Sequence, residues 1–456
     1  MSGGNRATAL AQFRHLALVF LTLVLVACGG TPGRELPYLA GEQPSFPGLG
    51  AALPAGDTAW SNRSLAKLFT RLTHDMEWGA SRPHLVRFEG PVTVALQGQG
   101  SGQYVSFLDG YLTHLREQTG IDIARRQGSP NLSVRFVEGR RFRKLLPTVS
   151  CLVAPGDIDF ATFVDDPREH GGDALARLDG LESITIFIPL TAPPYLVRGC
   201  LIEEIAQGLG PANDIYGVGA SIFNDDAAHI WPTKLDLLML EVLYDPGLST
   251  GLDRRETESR ALAVLDRLNP SGRGAPELAL PAQTSLQSWR DLLQTVFARD
   301  ARPIDRLDRA RRALNLARRT AEGGPQHCHS LLALGRASIA VEPADAIAIL
   351  DRAEGLCAQI HGGEDIRIAR LKLEKASAHL RLGQPAETLA LTGDLAEDLA
   401  GHGQDERLAT LYALRAHALE ALGQQGRAAA TRQLAQAWGG YALGADNESL
   451  IAWLER

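Results

Sequence analysis

An internal sequence repeat in the C-terminal third constrains the fold of this chain more than any other feature. Three similar segments, RASIAVEPADAIAIL, KASAHLRLGQPAETL and RAHALEALGQQGRAA, begin at Arg336, Lys375 and Arg415, so the intervals between successive copies are nearly equal. The second position of each copy is an alanine: Ala337, Ala376 and Ala416. Small residues at this period predict helical hairpins that stack on one another, because one hairpin alone cannot bury its apolar face.

The composition changes at residues 266–287, whose Pro and Gly content predicts a linker. Beyond it, residues 288–456 are rich in Ala, Leu, Arg and Glu, and we expect helical repeats similar to tetratricopeptide-like ones. Before it, residues 56–265 mix helical and strand-like patterns. The clearest strand-like segments are 92–96, 132–137 and 184–188, and a helix is expected from 196 to 209. The sequence therefore predicts an α+β fold class, with a mixed domain followed by an all-α domain.

Near the N-terminus, an apolar run from Leu16 to Ala27 ends directly before Cys28. Basic residues precede this run. This segment resembles a bacterial lipoprotein signal, in which residues 1–27 are a signal peptide and Cys28 receives lipid. An ordinary signal anchor is the alternative interpretation. Residues 28–55, rich in Gly, Pro and Ala, are then a flexible stalk. The resemblance implies a membrane anchor on the periplasmic side, and Gly29 favours the outer membrane.

Cysteine usage agrees with an oxidising compartment. Four cysteines remain beside Cys28, and an even number predicts two disulfides. We pair Cys151 with Cys200 and Cys328 with Cys357, because each pair lies inside one predicted domain. The second pair lies nearly symmetrically about a turn near residues 342–343, where a disulfide would join the two helices of a hairpin. No cysteine spacing suggests a zinc site.

One polar segment carries the candidate chemistry. From Glu203 to Asp214 the chain reads EEIAQGLGPAND, with the spacing of HExxHxxGxxH. It resembles the metzincin zinc-peptidase signature, with Glu203, Gln207 and Asn213 at the three histidine positions and Glu204 at the general base. All three imidazoles are absent. Neutral amide oxygens are poor zinc ligands, so we expect no metal and no other cofactor.

A longer pattern supports a family resemblance. Cys-x-x-Glu-Glu-x-x-Gln is followed by Asn-Asp, by Ser221-Ile-Phe223-Asn-Asp and by Leu-Tyr-Asp-Pro. Together these residues are similar to the proteobacterial family called domain of unknown function 2927. The resemblance implies a degenerate zincin-like domain over 56–265, in which Phe223 replaces the methionine of the metzincin turn. It implies no known activity.

Two other interpretations of the polar segment remain open. Oxygen ligands for a hard cation such as Ca²⁺ or Mg²⁺ are supplied by Glu203, Glu204, Asp214, Asp225 and Asp226. Alternatively, the acids form a polar helix face that hydrogen-bonds to neighbouring loops.

Three functions follow from these features. The first is a non-catalytic envelope lipoprotein that binds an unknown envelope protein or a peptide, with a groove formed by Glu203, Gln207, Asn213 and Asp214. The second is a metallohydrolase with non-standard ligands that uses Glu204 as general base. The third is an assembly factor whose repeats alone are active. The net charge of −7 argues against a nucleic-acid partner.

Overall fold

The computed structural model describes residues 60–444, apart from gaps at 77–78, 127, 148, 225, 227, 278–279, 281–286 and 298–300. The predicted signal peptide, the stalk, the lipidation site Cys28 and part of the predicted linker lie outside the described residues. None of the described helices combines the length and the apolar character needed to cross a bilayer.

The first part of the described chain contains a five-stranded sheet. Its strands are β1 (Val92–Gln97), β2 (Ile123–Arg125), β3 (Leu132–Val137), β4 (Leu152–Pro155) and β5 (Ile184–Pro189). Their order is β2-β1-β3-β5-β4, and β4 is antiparallel to β5 while the other neighbours are parallel. Every residue of β5 is buried, as expected of an apolar strand between two neighbours. The strands predicted at 92–96, 132–137 and 184–188 are confirmed.

Among the described residues, nine α-helices accompany the sheet: α1 (Asn62–His74), α2 (Val105–Thr119), α3 (Gly139–Leu145), α4 (Phe160–Asp165), α5 (Pro167–His170), α6 (Gly172–Ala176), α7 (Pro194–Gly208), α8 (Lys234–Leu243) and α9 (Arg254–Leu268). The main core joins α1, α2, α7 and α8 to one face of the sheet, and Ile184, Ile186 and Ile188 contribute to it from β5. Phe187 points to the other face, where it packs with Phe142 and Phe160. The sheet is therefore covered on both faces.

The second part is a run of helices: α10 (Gln287–Val296), α11 (Pro303–Thr320), α12 (Pro325–Ser338), α13 (Pro343–His361), α14 (Ile366–Arg381), α15 (Pro385–Leu391), α16 (Leu395–Gly401), α17 (Asp405–Ala421) and α18 (Gln425–Leu443). From α10 to α16 each helix packs on the next or the next but one, and α17 packs on α18. The repeat alanines Ala337, Ala376 and Ala416 are buried at these contacts. The fold class is thus mixed α+β, with a sheet first and a long run of helices after it.

Both predicted disulfides are confirmed. Cys151 pairs with Cys200. Cys328 on α12 pairs with Cys357 on α13, and the turn between the two helices contains Glu342. The second disulfide therefore joins the two helices of one hairpin, as the symmetry of the sequence indicated.

The helical run packs closely against the sheet-containing part. Arg198 of α7 forms a buried ion pair with Asp405 at the start of α17. Tyr216 contacts the ring of Trp289 on α10, with ring centroids 4.5 Å apart. We call the interface that contains these two contacts the seam between the two parts. Because charged and aromatic groups are buried in it, the two parts belong to one compact body.

Candidate ligand-binding cavity

A cavity of ≈ 810 Å³ lies at the seam, lined by α7 and by several helices of the helical run. From α7 and the segment after it come Glu203, Glu204, Gln207 and Asp214. From α12, α14 and α17 come Arg336, Arg370 and Arg407. The volume lies within the range of about 300–1,000 Å³ that is typical of ligand sites.

The polar face of α7 follows from the spacing of its residues. Glu203 and Gln207 are four positions apart, so they lie on the same side of the helix. Ile202, Ile205 and Ala206 are fully buried in the main core. Helix α7 is thus anchored by its apolar side, and its polar side is left to line the cavity.

Gly210 explains why the chain turns after α7. Its φ is +143°, and a Cβ at this position would lie 2.8 Å from the carbonyl oxygen of Val86. Only glycine fits both the backbone conformation and the close approach. The turn brings Asp214 back towards α7, where Gln207 Nε2 donates a hydrogen bond to Asp214 Oδ1 at 2.8 Å.

The structure brings together four of the five residues that the sequence analysis assigned to the groove or to general-base catalysis. Glu203, Glu204, Gln207 and Asp214 all line the cavity, and Glu204 is buried at 7 % exposure. Asn213 does not line it. Its side chain is fully buried, and Asn213 Nδ2 donates to the carbonyl oxygen of Arg71 at the end of α1, at 2.9 Å. Asn213 is therefore hydrogen-bonded to the last turn of α1, and the predicted groove is corrected at this position.

A buried carboxylate holds the loop that contains Phe223. Asp236 accepts hydrogen bonds from the Ser221 hydroxyl and from the backbone N–H groups of Ile222 and Thr233. Burial raises the pKa of Asp236 to about 6, although these hydrogen bonds oppose the shift. Asp236 also forms a capping box with Thr233 at the start of α8. The sequence analysis missed that this carboxylate fixes the loop in which Phe223 is fully buried.

The arginines of the cavity have few direct partners. Arg370 Nη1 donates to the carbonyl oxygen of Asp226 at 3.1 Å, and Arg407 donates to the side chain of Gln404. Arg336 pairs with Glu374 at 3.4 Å. Within the described part of the chain, no carboxylate forms an ion pair with the guanidinium of Arg370 or Arg407.

Beside the cavity, Arg367 is fully paired. Its guanidinium lies 2.8 Å from a carboxylate oxygen of Asp226 and 2.9 Å from one of Asp365. Burial alone would lower the pKa of Arg367, but the two carboxylates outweigh it and raise that pKa above its ordinary value. His229 lines the cavity next to this group. Burial, and then the charge of Arg367, lower the pKa of His229 to about 3, so its imidazole is neutral at pH 7.

The sequence analysis missed the arginines, although a repeated pattern includes one of them, Arg407. Asp365-Ile-Arg367 and Asp405-Glu-Arg407 are the same Asp-x-Arg pattern, and they lie one repeat period apart. Each copy lies at the beginning of a helix, α14 or α17. In the first copy, Arg367 forms an ion pair with Asp226. In the second copy, Asp405 forms an ion pair with Arg198. Residues of the repeat therefore form contacts across the seam as well as the helices themselves.

The residues present do not form a metal centre of the metzincin type. In the described ranges, no group of three or more His, Cys, Asp or Glu side chains is placed to hold an ion. Among the residues considered for a hard cation, Asp225 lies outside the described residues, and Asp226 is engaged by Arg367. At two of the three histidine positions of the signature, the side chains have other partners: Gln207 is hydrogen-bonded to Asp214, and Asn213 is hydrogen-bonded to α1.

Comparison with known proteins identifies a family for the sheet-containing part. Residues 62–262 match the model of a family described as protein of unknown function (DUF2927). Neither the curated proteins nor the solved structures contain a match to the chain. The matched region begins with α1 and ends within α9, so it includes the whole sheet and α7 but none of the helical run. The chain therefore contains a DUF2927 domain at residues 62–262.

Proposed function

We propose that this chain is a non-catalytic binding protein of the bacterial envelope, which holds a small charged ligand or a peptide segment in the cavity between α7 and the helical run. The observation that carries the proposal is the cavity itself. It is large enough for a ligand, and charged groups of both signs line it. The partner is then an envelope protein or a peptide, and the lipid on Cys28 tethers the body to the membrane.

The sheet-containing part is proposed to be a degenerate zincin-like domain. Its support is the arrangement of a largely parallel sheet with α7 packed against β5 and β4, and the signature spacing on α7. Absence of catalysis is supported by the side chains at the histidine positions. Asn213 is directed away from Glu203 and Gln207, so the three cannot share one ion.

The helical run is proposed to be a tetratricopeptide-like array that closes the cavity. Supporting features are the buried alanines of the repeat and a recurrent turn. After α14 and after α17, Gly383 (φ +70°) and Gly423 (φ +73°) end the helix at equivalent points of two copies, and a glutamine follows each. Left-handed glycines at the same point of these two copies give their two hairpins the same turn geometry.

Filling the cavity tests the proposal. Gly199 of α7 lines the cavity, and a Cβ there meets nothing within 4 Å, so Gly199→Trp places an indole in the ligand space. Gly355→Trp on α13 is the matched control, because Gly355 is exposed, outside the cavity and equally unobstructed. We expect native mass spectrometry of protein purified from its own envelope to show a bound small molecule or peptide in the wild type and the control, and none in Gly199→Trp. An equal load in all three proteins, or none in the wild type, contradicts the proposal.

The hydrolase alternative has its own test. Glu204 lines the cavity, so a catalytic role predicts that Glu204→Gln abolishes a chelator-sensitive amidase or peptidase activity. We expect elemental analysis of the full chain to show no stoichiometric zinc, and we expect no hydrolysis that depends on Glu204. Stoichiometric zinc together with activity lost in Glu204→Gln would establish the enzyme and overturn the binding protein.

The membrane anchor is tested separately. Cys28→Ala removes the thiol that the lipoprotein signal would modify. We expect palmitate labelling and membrane association of the wild type, and unlabelled protein for the variant. Labelling that persists in Cys28→Ala would rule out this anchor.

A further inference from the structure

The side chains of Arg336, Arg370 and Arg407 come together in the cavity from three different helices. They line the same space, although they are far apart along the chain. The charge of Arg407 acts on Arg370, and the charge of Arg336 acts on both of the others. Three guanidinium groups in one partly enclosed space repel one another, which costs free energy unless an opposite charge is present.

Three of the nearby described carboxylates form ion pairs with arginines outside this set. Asp226 and Asp365 pair with Arg367, and Asp405 pairs with Arg198. These acids therefore balance Arg367 and Arg198. Glu406 also lines the cavity and acts on the charge of Arg407, but it forms no ion pair with Arg370 or Arg407 in the described part of the chain.

Arg407 shows the contrast most directly. Arg407 is the arginine of the second Asp-x-Arg copy, and Arg367 is the arginine of the first. Arg367 pairs with two buried carboxylates, whereas Arg407 has only the amide side chain of Gln404 as a hydrogen-bond partner in the described part of the chain. The arginine of this pattern thus pairs with Asp226 across the seam in the first copy and lines the cavity in the second.

Burial also disfavours the charged forms of Arg370 and Arg407. Burial, followed by the charge of Arg407, lowers the pKa of Arg370 to about 9. Burial also lowers the pKa of Arg407; Glu406 opposes this shift, and the charge of Arg336 adds to it. An anion between these groups would relieve both effects, because guanidinium groups bind carboxylate and phosphate oxygens through paired, charge-assisted hydrogen bonds.

We propose that Arg336, Arg370 and Arg407 form an anion-binding subsite, which takes a carboxylate or phosphate group of the ligand held in the cavity. The proposal rests on the proposed function and adds the chemical class of the ligand. The remaining volume, next to Glu203 and Gln207, accommodates the rest of that ligand.

Direct binding measurements test the subsite. Isothermal titration of the full chain uses two probes: inorganic phosphate and N-acetyl-Glu-Glu, whose carboxylates are its only charges. The variants are Arg370→Gln and Arg407→Gln, and the control is Arg311→Gln, whose side chain pairs with Glu342 at an exposed site on α11. We expect at least one probe to bind to the wild type and the control, and its Kd to rise about tenfold or more in each cavity variant, which corresponds to about 1.4 kcal/mol.

The outcomes separate the sources of the anion. Binding of the peptide alone identifies a carboxylate ligand, binding of phosphate alone identifies a phosphate ligand, and binding of both supports the shared chemistry. Binding of neither probe, or the same affinity in all variants, overturns the subsite. The cavity-filling experiment with Gly199→Trp is independent of these probes, so a neutral or cationic native ligand would leave the binding protein standing while the anion subsite fails.

A stability measurement guards against misfolded variants. If the arginines form an unfilled site, Arg407→Gln relieves repulsion and should leave the melting temperature unchanged or higher without ligand. A fall of several degrees would indicate a structural role for Arg407 and would contradict the proposal. Arg407→Lys keeps the charge but not the paired donors, and we expect it to retain part of the affinity.

Discussion

Arg198 Nη2 lies 2.7 Å from Asp405 Oδ2, and the two side chains are only 8 % and 7 % exposed. Arg198 belongs to α7, the helix that carries the degenerate signature, and Asp405 begins α17 in the repeats. The guanidinium also stacks on the ring of Tyr441, 3.9 Å from its centroid. A single buried contact therefore fixes α7 against the helical run beside the cavity.

Breaking this ion pair should be costly. Asp405→Asn leaves the Arg198 charge buried without its partner, and we expect a loss of roughly 3–5 kcal/mol in the free energy of unfolding. The control is Glu420→Gln, which removes a pair with Arg432 whose two side chains are 44 % and 30 % exposed, and it should cost at most about 1 kcal/mol. Urea unfolding followed by tryptophan fluorescence measures both. Equal losses would show that the buried pair adds nothing to the seam.

Gly403 offers a test of close packing at the seam. Its φ is +67°, and a Cβ at this position would lie 2.5 Å from Trp231 Nε1. Gly423 has a similar φ of +73° and an unobstructed Cβ position. Both Gly→Ala variants carry the backbone strain, so the difference between them isolates the contact with Trp231. We expect Gly403→Ala to be less stable than Gly423→Ala by about 1–3 kcal/mol.

The measurement is again urea unfolding, together with the near-ultraviolet circular dichroism of the tryptophans. A change in the tryptophan signal for Gly403→Ala alone would place the disturbance at Trp231. Identical stability of the two variants would mean that Trp231 moves aside without cost.

Acid should weaken the seam. Burial is the main cause that lowers the pKa of His329 and His361 to about 4 and that of His229 to about 3. Around these imidazoles lie Arg367 and Arg370, which oppose protonation, and Asp226 and Asp365, which favour it. His329 also shares a hydrogen bond with Tyr216.

The sign follows from these lowered pKa values. Below about pH 6.5 the unfolded chain binds protons at the three imidazoles, whereas the folded chain does not until about pH 4. The stabilisation is thus complete above pH 6.5 and is lost as the pH falls towards 4. Between pH 7 and pH 5 we expect a loss of about 1–2 kcal/mol for each imidazole. Urea unfolding at the two pH values measures it, and His361→Gln should reduce the loss; an unchanged pH dependence would count against this origin.

Loss of either disulfide should lower stability, but only loss of Cys151–Cys200 should also weaken ligand binding. Cys328 and Cys357 are 29 residues apart, so replacing both by serine should lower the free energy of unfolding by about 3–4 kcal/mol in the chain-entropy description. Cys151 and Cys200 line the cavity as well, and their double serine variant should also weaken ligand binding. Unfolding curves and titrations of both variants make the comparison. Equal ligand affinity in the two would separate the Cys151–Cys200 bridge from the shape of the cavity.

Sequence patterns predicted the regular elements well, because each has a local cause. Strand β3 was expected at its observed limits, 132–137, and the helix expected at 196–209 is observed as α7, Pro194–Gly208. Strands β2 and β4 were missed, since such short segments do not show alternation. Their pairing depends on neighbours that are distant in sequence, such as the partners of β4 in β5.

The candidate site could be predicted only in part. The spacing on α7 identified Glu203, Glu204 and Gln207, because one helix determines which of its side chains share a face. Asn213 was misplaced because the turn at Gly210 directs it to α1. The arginines of the helical run join α7 only through tertiary packing, and no local pattern states which helix faces which.

The limits of the sequence family and the limits of the cavity differ. The family match ends at residue 262, whereas Arg336, Arg370 and Arg407 all come from beyond it. A fragment trimmed to the family boundaries would keep an open, acidic trough along α7 and would lose its cationic complement. The proposed binding site therefore needs both parts of the chain, and a ligand screen against the excised domain would lack the three arginines.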